Sequence, residues 1–156
     1  MTMEKQAAMA AIDARADLVA QVADQIWSFA ELSLQEEQSA ALYCRVLEQE
    51  GFTVEKGICS IPTAFSATYG SGRPIIGFLA EYDAMAAGLG VKAYLEAAKI
   101  PGTVVLYGCP GEEGGAAKAF MARDGLWYGL DAALTWHPDD ANEVLTGSPN
   151  SCLQTQ

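Results

Sequence analysis

The stretch Thr103-Val-Val-Leu-Tyr-Gly-Cys-Pro-Gly-Glu-Glu-Gly-Gly115 decides the fold. Five apolar or β-favouring residues, Thr103 to Tyr107, run up to a glycine and stop at Cys109-Pro110. Two adjacent carboxylates, Glu112 and Glu113, follow, and two more glycines let the backbone turn into a helix. A strand that delivers acidic side chains onto a Gly-rich turn places them at the carboxyl edge of a parallel sheet, where open α/β sheets bind their ligands. Two readings remain open at this point. The carboxylates either handle a metal and a water, or form a solvated acidic turn.

Upstream, Ile75-Ile-Gly-Phe-Leu-Ala80 is nearly all apolar, as expected of a central strand covered on both faces. It ends in Glu81-Tyr-Asp83, a second pair of carboxylates at a strand terminus. Residues 86–99 have helical composition interrupted by Gly88 and Gly90, and Pro101-Gly102 ends them. Strand, helix, strand at this spacing predicts a parallel crossover into 103–107. Downstream, 116–123 reads as a short helix. Asp131-Ala-Ala-Leu-Thr-Trp136 reads as the next strand, delivering His137-Pro-Asp-Asp140 to its end. Three strands thus terminate in residues of metal-binding type: Glu81 and Asp83, Glu112 and Glu113, and His137.

The N-terminal third reads as two helices. Ile12, Leu18, Val19, Val22, Ile26 and Phe29 give residues 4–30 a roughly helical period. A second helix over 36–50 ends at Gly51, where a glycine cap belongs. Phe52-Thr-Val-Glu55 is a short strand. Thr63 to Tyr69 alternates, and the turn Gly70-Ser-Gly-Arg-Pro74 predicts that it forms a hairpin with 75–80. The class expected is therefore α/β: an open, mixed, mostly parallel sheet with helices on both faces.

Bulk properties narrow the function. The chain has 156 residues and fits one domain. A net charge of −11 argues against nucleic acid, whose phosphates need clustered Lys and Arg. No apolar run approaches the ~20 residues that span a bilayer, and the start shows no signal-peptide pattern. Cys44, Cys59, Cys109 and Cys152 form no CxxC pair and are read as reduced thiols, which makes a cytoplasmic location the expectation.

His, Asp and Glu build zinc and manganese sites, and adjacent glutamates suit a division of labour between holding the metal and taking a proton from water. Taken singly, each feature has a plain structural reading: Glu112-Glu113 as an exposed acidic turn, His137 before its proline as structural, and Cys109 as a small buried residue. Together, Ala80-Glu-Tyr-Asp-Ala84, Tyr107-Gly-Cys-Pro-Gly-Glu-Glu-Gly-Gly115 and Leu134-Thr-Trp-His-Pro138 resemble, in order and content, the aminoacylase/carboxypeptidase-type metallopeptidases, in particular their amidohydrolase branch. The resemblance covers nearly the whole chain.

It implies a metal-dependent hydrolase of the amide bond of an N-acyl amino acid, an aminobenzoyl-glutamate-like conjugate or a dipeptide. It further implies two ions, Zn or Mn, in the full-length enzyme. Carried over, Glu112 is the general base, Glu113 and His137 are metal ligands, and Asp83 is an acidic residue supporting the site. The family also has a His-x-Cys-Gly-His segment after its Glu-Tyr-Asp motif, whereas this chain passes from Asp83-Ala-Met85 straight to Ala86-Ala-Gly-Leu-Gly90. The expectation is therefore a partial catalytic domain over 1–150 with a segment missing near 85–88, and 151–156 as the start of a lid or dimerisation domain. Pairing into a homodimer or with a different partner chain would go through that lid. Two alternatives stand beside this: a non-catalytic family member with a binding or regulatory role, and a thiol hydrolase using Cys109 and His137.

Overall fold

The computed structural model describes residues 1–82 and 85–135, apart from the side chain of Glu113. Three helices lead: α1 (Met3–Asp13), α2 (Ala16–Phe29) and α3 (Glu37–Gln49). Strands β1 (Thr53–Lys56), β2 (Phe65–Ser71) and β3 (Ile75–Ala80) follow. Then come α4 (Met85–Ala98), β4 (Gly102–Gly108), the single turn α5 (Glu112–Gly115), α6 (Ala117–Arg123) and β5 (Ala132–Thr135).

The five strands form one sheet in the order β1-β2-β4-β3-β5. β3 runs parallel to both β4 and β5, and β2 is antiparallel to β1 and β4, so the sheet is mixed. The expected crossover through α4 is present. The expected hairpin between 63–69 and 75–80 is not: β4 lies between those two strands, paired with β2 from Phe65↔Gly108 to Ser71↔Gly102. Burial supplies the reason. Val104 and Leu106 pack on one face of β4 while Val105 and Tyr107 pack on the other. A β2–β3 hairpin would have left this doubly apolar strand without one of its two neighbours.

Helices cover both faces. On one, α2, α3 and α4 bury Val22, Leu42, Tyr43, Leu47, Met85 and Leu89 against Phe65, Ala67, Val104 and Leu106. On the other, Ala117 and Met121 of α6 meet Val105, Tyr107 and Cys109, and Trp127 stands edge-on to Tyr107 at 4.8 Å between ring centres. Burying a side chain such as Leu106 or Phe65 contributes about 1.5–3 kcal/mol.

The helix expected over 4–30 is two helices, broken at Ala14-Arg15. The halves have different partners, α1 lying on α4 and α2 on α3. Arg15 at the break reaches Glu50 at the end of α3 with two hydrogen bonds, of 2.9 and 3.2 Å. Gly88 and Gly90 do not interrupt α4. They let it approach its neighbours, since a Cβ on Gly88 would stand 2.4 Å from Leu106 and one on Gly90 2.7 Å from Ile12. α4 begins at Met85, so the junction at 83–84 lies outside the described residues.

Candidate metallohydrolase site

Register fixes the site. Ala80, the last residue of β3, pairs with Gly108, the last of β4. Leu79 pairs with Thr135, the last of β5. The chain leaving each of these three parallel strands therefore emerges at one edge of the sheet. Glu81 leaves from β3 and Glu112 from β4, the latter across Cys109-Pro-Gly111. Asp83 and His137 lie outside the described residues, as does the side chain of Glu113, although its backbone is placed in α5.

The described charges meet at Lys118, in the first turn of α6. Its ammonium donates to Glu81 Oε1 and stands 4.0 Å from Glu112 Oε1. All three side chains keep some exposure, 22% for Lys118, 23% for Glu81 and 37% for Glu112. At that exposure an ion pair contributes about 0.2–1 kcal/mol, so its role is placement more than stability. Between β3 and α6, Lys118 ties the two acidic strand ends to one cation.

The Glu112 turn is tightly wound. Gly111 opens it at φ +58, Ala116 closes it at φ +51, and the amides of Gly115 and Ala116 close on the Gly111 carbonyl at 2.6 and 2.8 Å. The loop before α3 sits against it. Leu34 lies over Gly111 and Gly115, where added Cβ atoms would stand 2.8 and 2.6 Å from its side chain. The amide of Gly111 donates to Glu36 Oε1 at 2.9 Å.

Nearby, Glu31 caps α3 by accepting from the Gln38 and Ser39 amides at 2.8 and 2.9 Å and from the Ser39 hydroxyl. Burial alone would raise its carboxyl, but these hydrogen bonds outweigh it and hold the group below the usual range. Tyr82 donates to the Thr63 carbonyl at 2.8 Å. Burial first, and then the charge of Glu36, push its phenol well above the ordinary value, so it stays a neutral donor. Glu31, Glu36, Glu81, Tyr82 and Trp27 line an open cleft of about 480 Å³ beside the edge.

Cys109 is buried, 1% exposed, in the apolar layer beneath α6, with its thiol donating toward the Tyr107 carbonyl at 3.5 Å. That placement gives a substrate no route to the sulfur and argues against a thiol nucleophile. Among the described residues no group of three or more His, Cys, Asp or Glu could hold a metal ion. The donors proposed from sequence, a carboxylate and an imidazole, suit zinc or manganese in kind. No helix among the described residues is long and apolar enough to cross a membrane.

No family model matches the chain. It is 39% identical, over 83% of its length, to a p-aminobenzoyl-glutamate hydrolase subunit of Escherichia coli (strain K12), of which it covers 34%. Over that length the chain is similar to the amidohydrolase and metallopeptidase family to which this relative's name points. It is also 29% identical to Xaa-Arg dipeptidases of Mus musculus and Homo sapiens, covering 39% and 38% of them. Among solved structures its fold matches a Bacillus subtilis dinuclear metal binding peptidase from the M20 family, with a TM-score of 0.61, 19% identity, and coverage of 78% of this chain and 43% of that one.

The chain spans little more than a third of the length of the curated relatives it matches. The E. coli match runs over 163 positions but takes in only 83% of a 156-residue chain, about 130 residues, so about 30 positions of the relative have no counterpart here. The mouse and human matches leave a similar remainder.

Sequence reading found Glu81 and Glu112 as strand-end acids and missed Glu36 and Lys118. Lys118 follows the Glu-Glu pair closely, and its place one turn into the next helix was a usable signal. Glu36 is 75 residues from Gly111, and no local pattern announces that contact.

Proposed function

We propose that the intact protein is a metal-dependent amidohydrolase, cleaving the amide bond of an N-acyl amino acid, an aminobenzoyl-glutamate-like conjugate or a dipeptide. The observation that carries this is the shared register of β3, β4 and β5, which brings Glu81, Glu112 and Thr135, the last residue of β5, out at one sheet edge. The relatives' names add two kinds of amide substrate, an aminobenzoyl-glutamate and dipeptides ending in arginine.

In this reading Glu113 and His137 hold the metal, Zn or Mn, with a second ion sharing the site in the full-length enzyme. The metal, when bound, polarises the amide carbonyl and makes water easier to ionise. Glu112, at the mouth of its turn, accepts the proton of the attacking water on its carboxylate and returns it to the departing nitrogen. Asp83 supports the site from the end of β3. Lys118 pairs with Glu81 and stands 4.0 Å from Glu112 Oε1, so one cation serves both acids at this edge.

Residues 1–150 form part of a larger catalytic domain in this reading, 151–156 lead into a lid, and pairing of subunits in a cytoplasmic protein uses that lid. The relatives' extra positions, about 30 in each match, support a segment that they carry and this chain lacks, which this reading puts near 85–88. The same positions favour a second reading, a non-catalytic member that lacks part of its ligand set.

One variant tests the first reading. In the intact, metal-loaded protein, Glu112→Gln should lower turnover about 10²- to 10⁴-fold, the range of general acid–base catalysis, while metal content stays at its wild-type value. Wild-type turnover by that variant would reject Glu112 as the base. Failure of the wild-type protein to retain any metal would favour the non-catalytic reading.

A further inference from the structure

We propose that Glu36 is the positioning residue of the Glu112-Glu113 turn: its carboxylate fixes the Gly111 backbone and so the direction in which Glu112 leaves the sheet edge. The inference deepens the assignment of Glu112 as base and rests on it.

One carboxylate joins three separate segments. Glu36 Oε1 accepts from the Gly111 amide at 2.9 Å and from the Leu34 amide at 3.0 Å, and Oε2 faces the Thr63 hydroxyl at 3.4 Å. The Gly111 amide needs an acceptor from outside its own segment. It lies beyond the last pair of β4, and it precedes a helix whose amides close on the Gly111 carbonyl. A helix of four residues does not hold itself, because nucleating the first turn is unfavourable. What anchors Gly111 therefore sets where Glu112 points.

The backbone around this carboxylate carries matching strain. Leu34 takes φ +63, Tyr82 φ +68 and Ala116 φ +51, a region that side-chain-bearing residues seldom occupy. Such conformations persist where the surroundings over-determine them, and they gather at functional sites. Glu36 stabilises the first directly by accepting from the Leu34 amide. That conformation seats Leu34 over Gly111 and Gly115, so the loop and the turn are held by one contact set.

The geometry makes Gln a faithful substitute. Its amide oxygen can accept from both backbone amides, and its nitrogen can donate to the Thr63 hydroxyl. Asp keeps the charge but is one methylene too short.

The test uses intact, metal-loaded protein and two readouts, hydrogen exchange at the Gly111 amide and steady-state kinetics on an N-acyl amino acid. Glu36→Ala should speed Gly111 exchange at least tenfold and lower kcat about 10- to 100-fold through misplacement of the base, with KM within about threefold. Glu36→Gln should return both readouts to within about threefold of wild type. Should Glu36→Ala not fold, Glu36→Asp carries the same expectation as Ala. Unchanged exchange in Ala or Asp, or a Gln variant as impaired as Ala, would overturn the proposal. The exchange readout is independent of catalysis. A Glu112→Gln enzyme with full turnover sinks the base assignment and leaves the clamp standing, whereas unchanged Gly111 exchange sinks the clamp alone.

Discussion

The two ends of the parallel strands use one device for different purposes. At the amino end, Asp131 accepts from the Ile75 amide at 2.6 Å and pairs with Arg73, locking the start of β3 to the start of β5. At the carboxyl end, Glu36 accepts from the Gly111 amide, but the backbone it holds leads into Glu112 rather than into a strand. The amino-end acid has its cation beside it. At the carboxyl end the one described cation, Lys118, is shared between Glu81 and Glu112, and Glu36 is bound by amides and a hydroxyl. A carboxylate closing a sheet register is structural. The same group closing a one-turn helix that starts with two glutamates is, in our proposal, what positions the chemistry.

Four variants would break or sharpen this contrast, and the largest effect should come from neither end. Leu106→Ala, in the middle of β4, should destabilise the protein by about 2–5 kcal/mol, with both ends weakened alike in denaturant titration. A loss below 1 kcal/mol would mean that the core does not couple the two ends. Next, Gly115→Val should push Leu34 off the turn and lower kcat about tenfold while costing about 1–3 kcal/mol, the usual penalty of overpacking. An unchanged kcat would show that the seating of this loop is irrelevant to Glu112.

Glu31→Ala removes the cap of α3, at a cost of about 1 kcal/mol. Because the folded Glu31 carboxyl lies below its ordinary value, the stability it adds is full above the unfolded value near 4.5 and is lost as pH falls through the lower folded one. The Glu31→Ala and wild-type melting temperatures should therefore converge on acidification below that window. A gap that stayed constant with pH would assign the loss to packing.

Smallest of the four, Asp131→Asn at the amino end should leave kcat unchanged and lower the melting temperature slightly at neutral pH. The hydrogen bond from Ile75 and then the Arg73 pair depress the Asp131 carboxyl. Its contribution is present above the unfolded value near 3.8 and fades as pH falls through the depressed folded one. A fall in kcat without a fall in melting temperature would erase the distinction between the ends.

Much of this architecture was written locally. The apolar runs at 75–80 and 103–107, the helical stretch between them and the carboxylates at their ends led directly to a parallel crossover with acids at one edge. What was not legible was long-range. Strand pairing depends on which face finds cover, so the turn at 70–74 gave no sign that β4 would enter between β2 and β3. The break at Ala14-Arg15 follows from two helices having different partners, which the uniform spacing of Ile12, Leu18 and Val22 conceals. In the site, the acids that end strands were visible because a strand terminus has a pattern. Glu36 had none, since its importance comes from an amide 75 residues away.

Metal dependence of the intact protein tests the assignment most directly. Purified protein would be stripped with a chelator, assayed on N-acyl amino acids and p-aminobenzoyl-glutamate, and assayed again after Zn or Mn is restored. Hydrolysis should vanish on stripping and return with the metal, in proportion to the ions rebound. Hydrolysis at the full rate by stripped protein would contradict the assignment of a metallohydrolase edge on β3, β4 and β5.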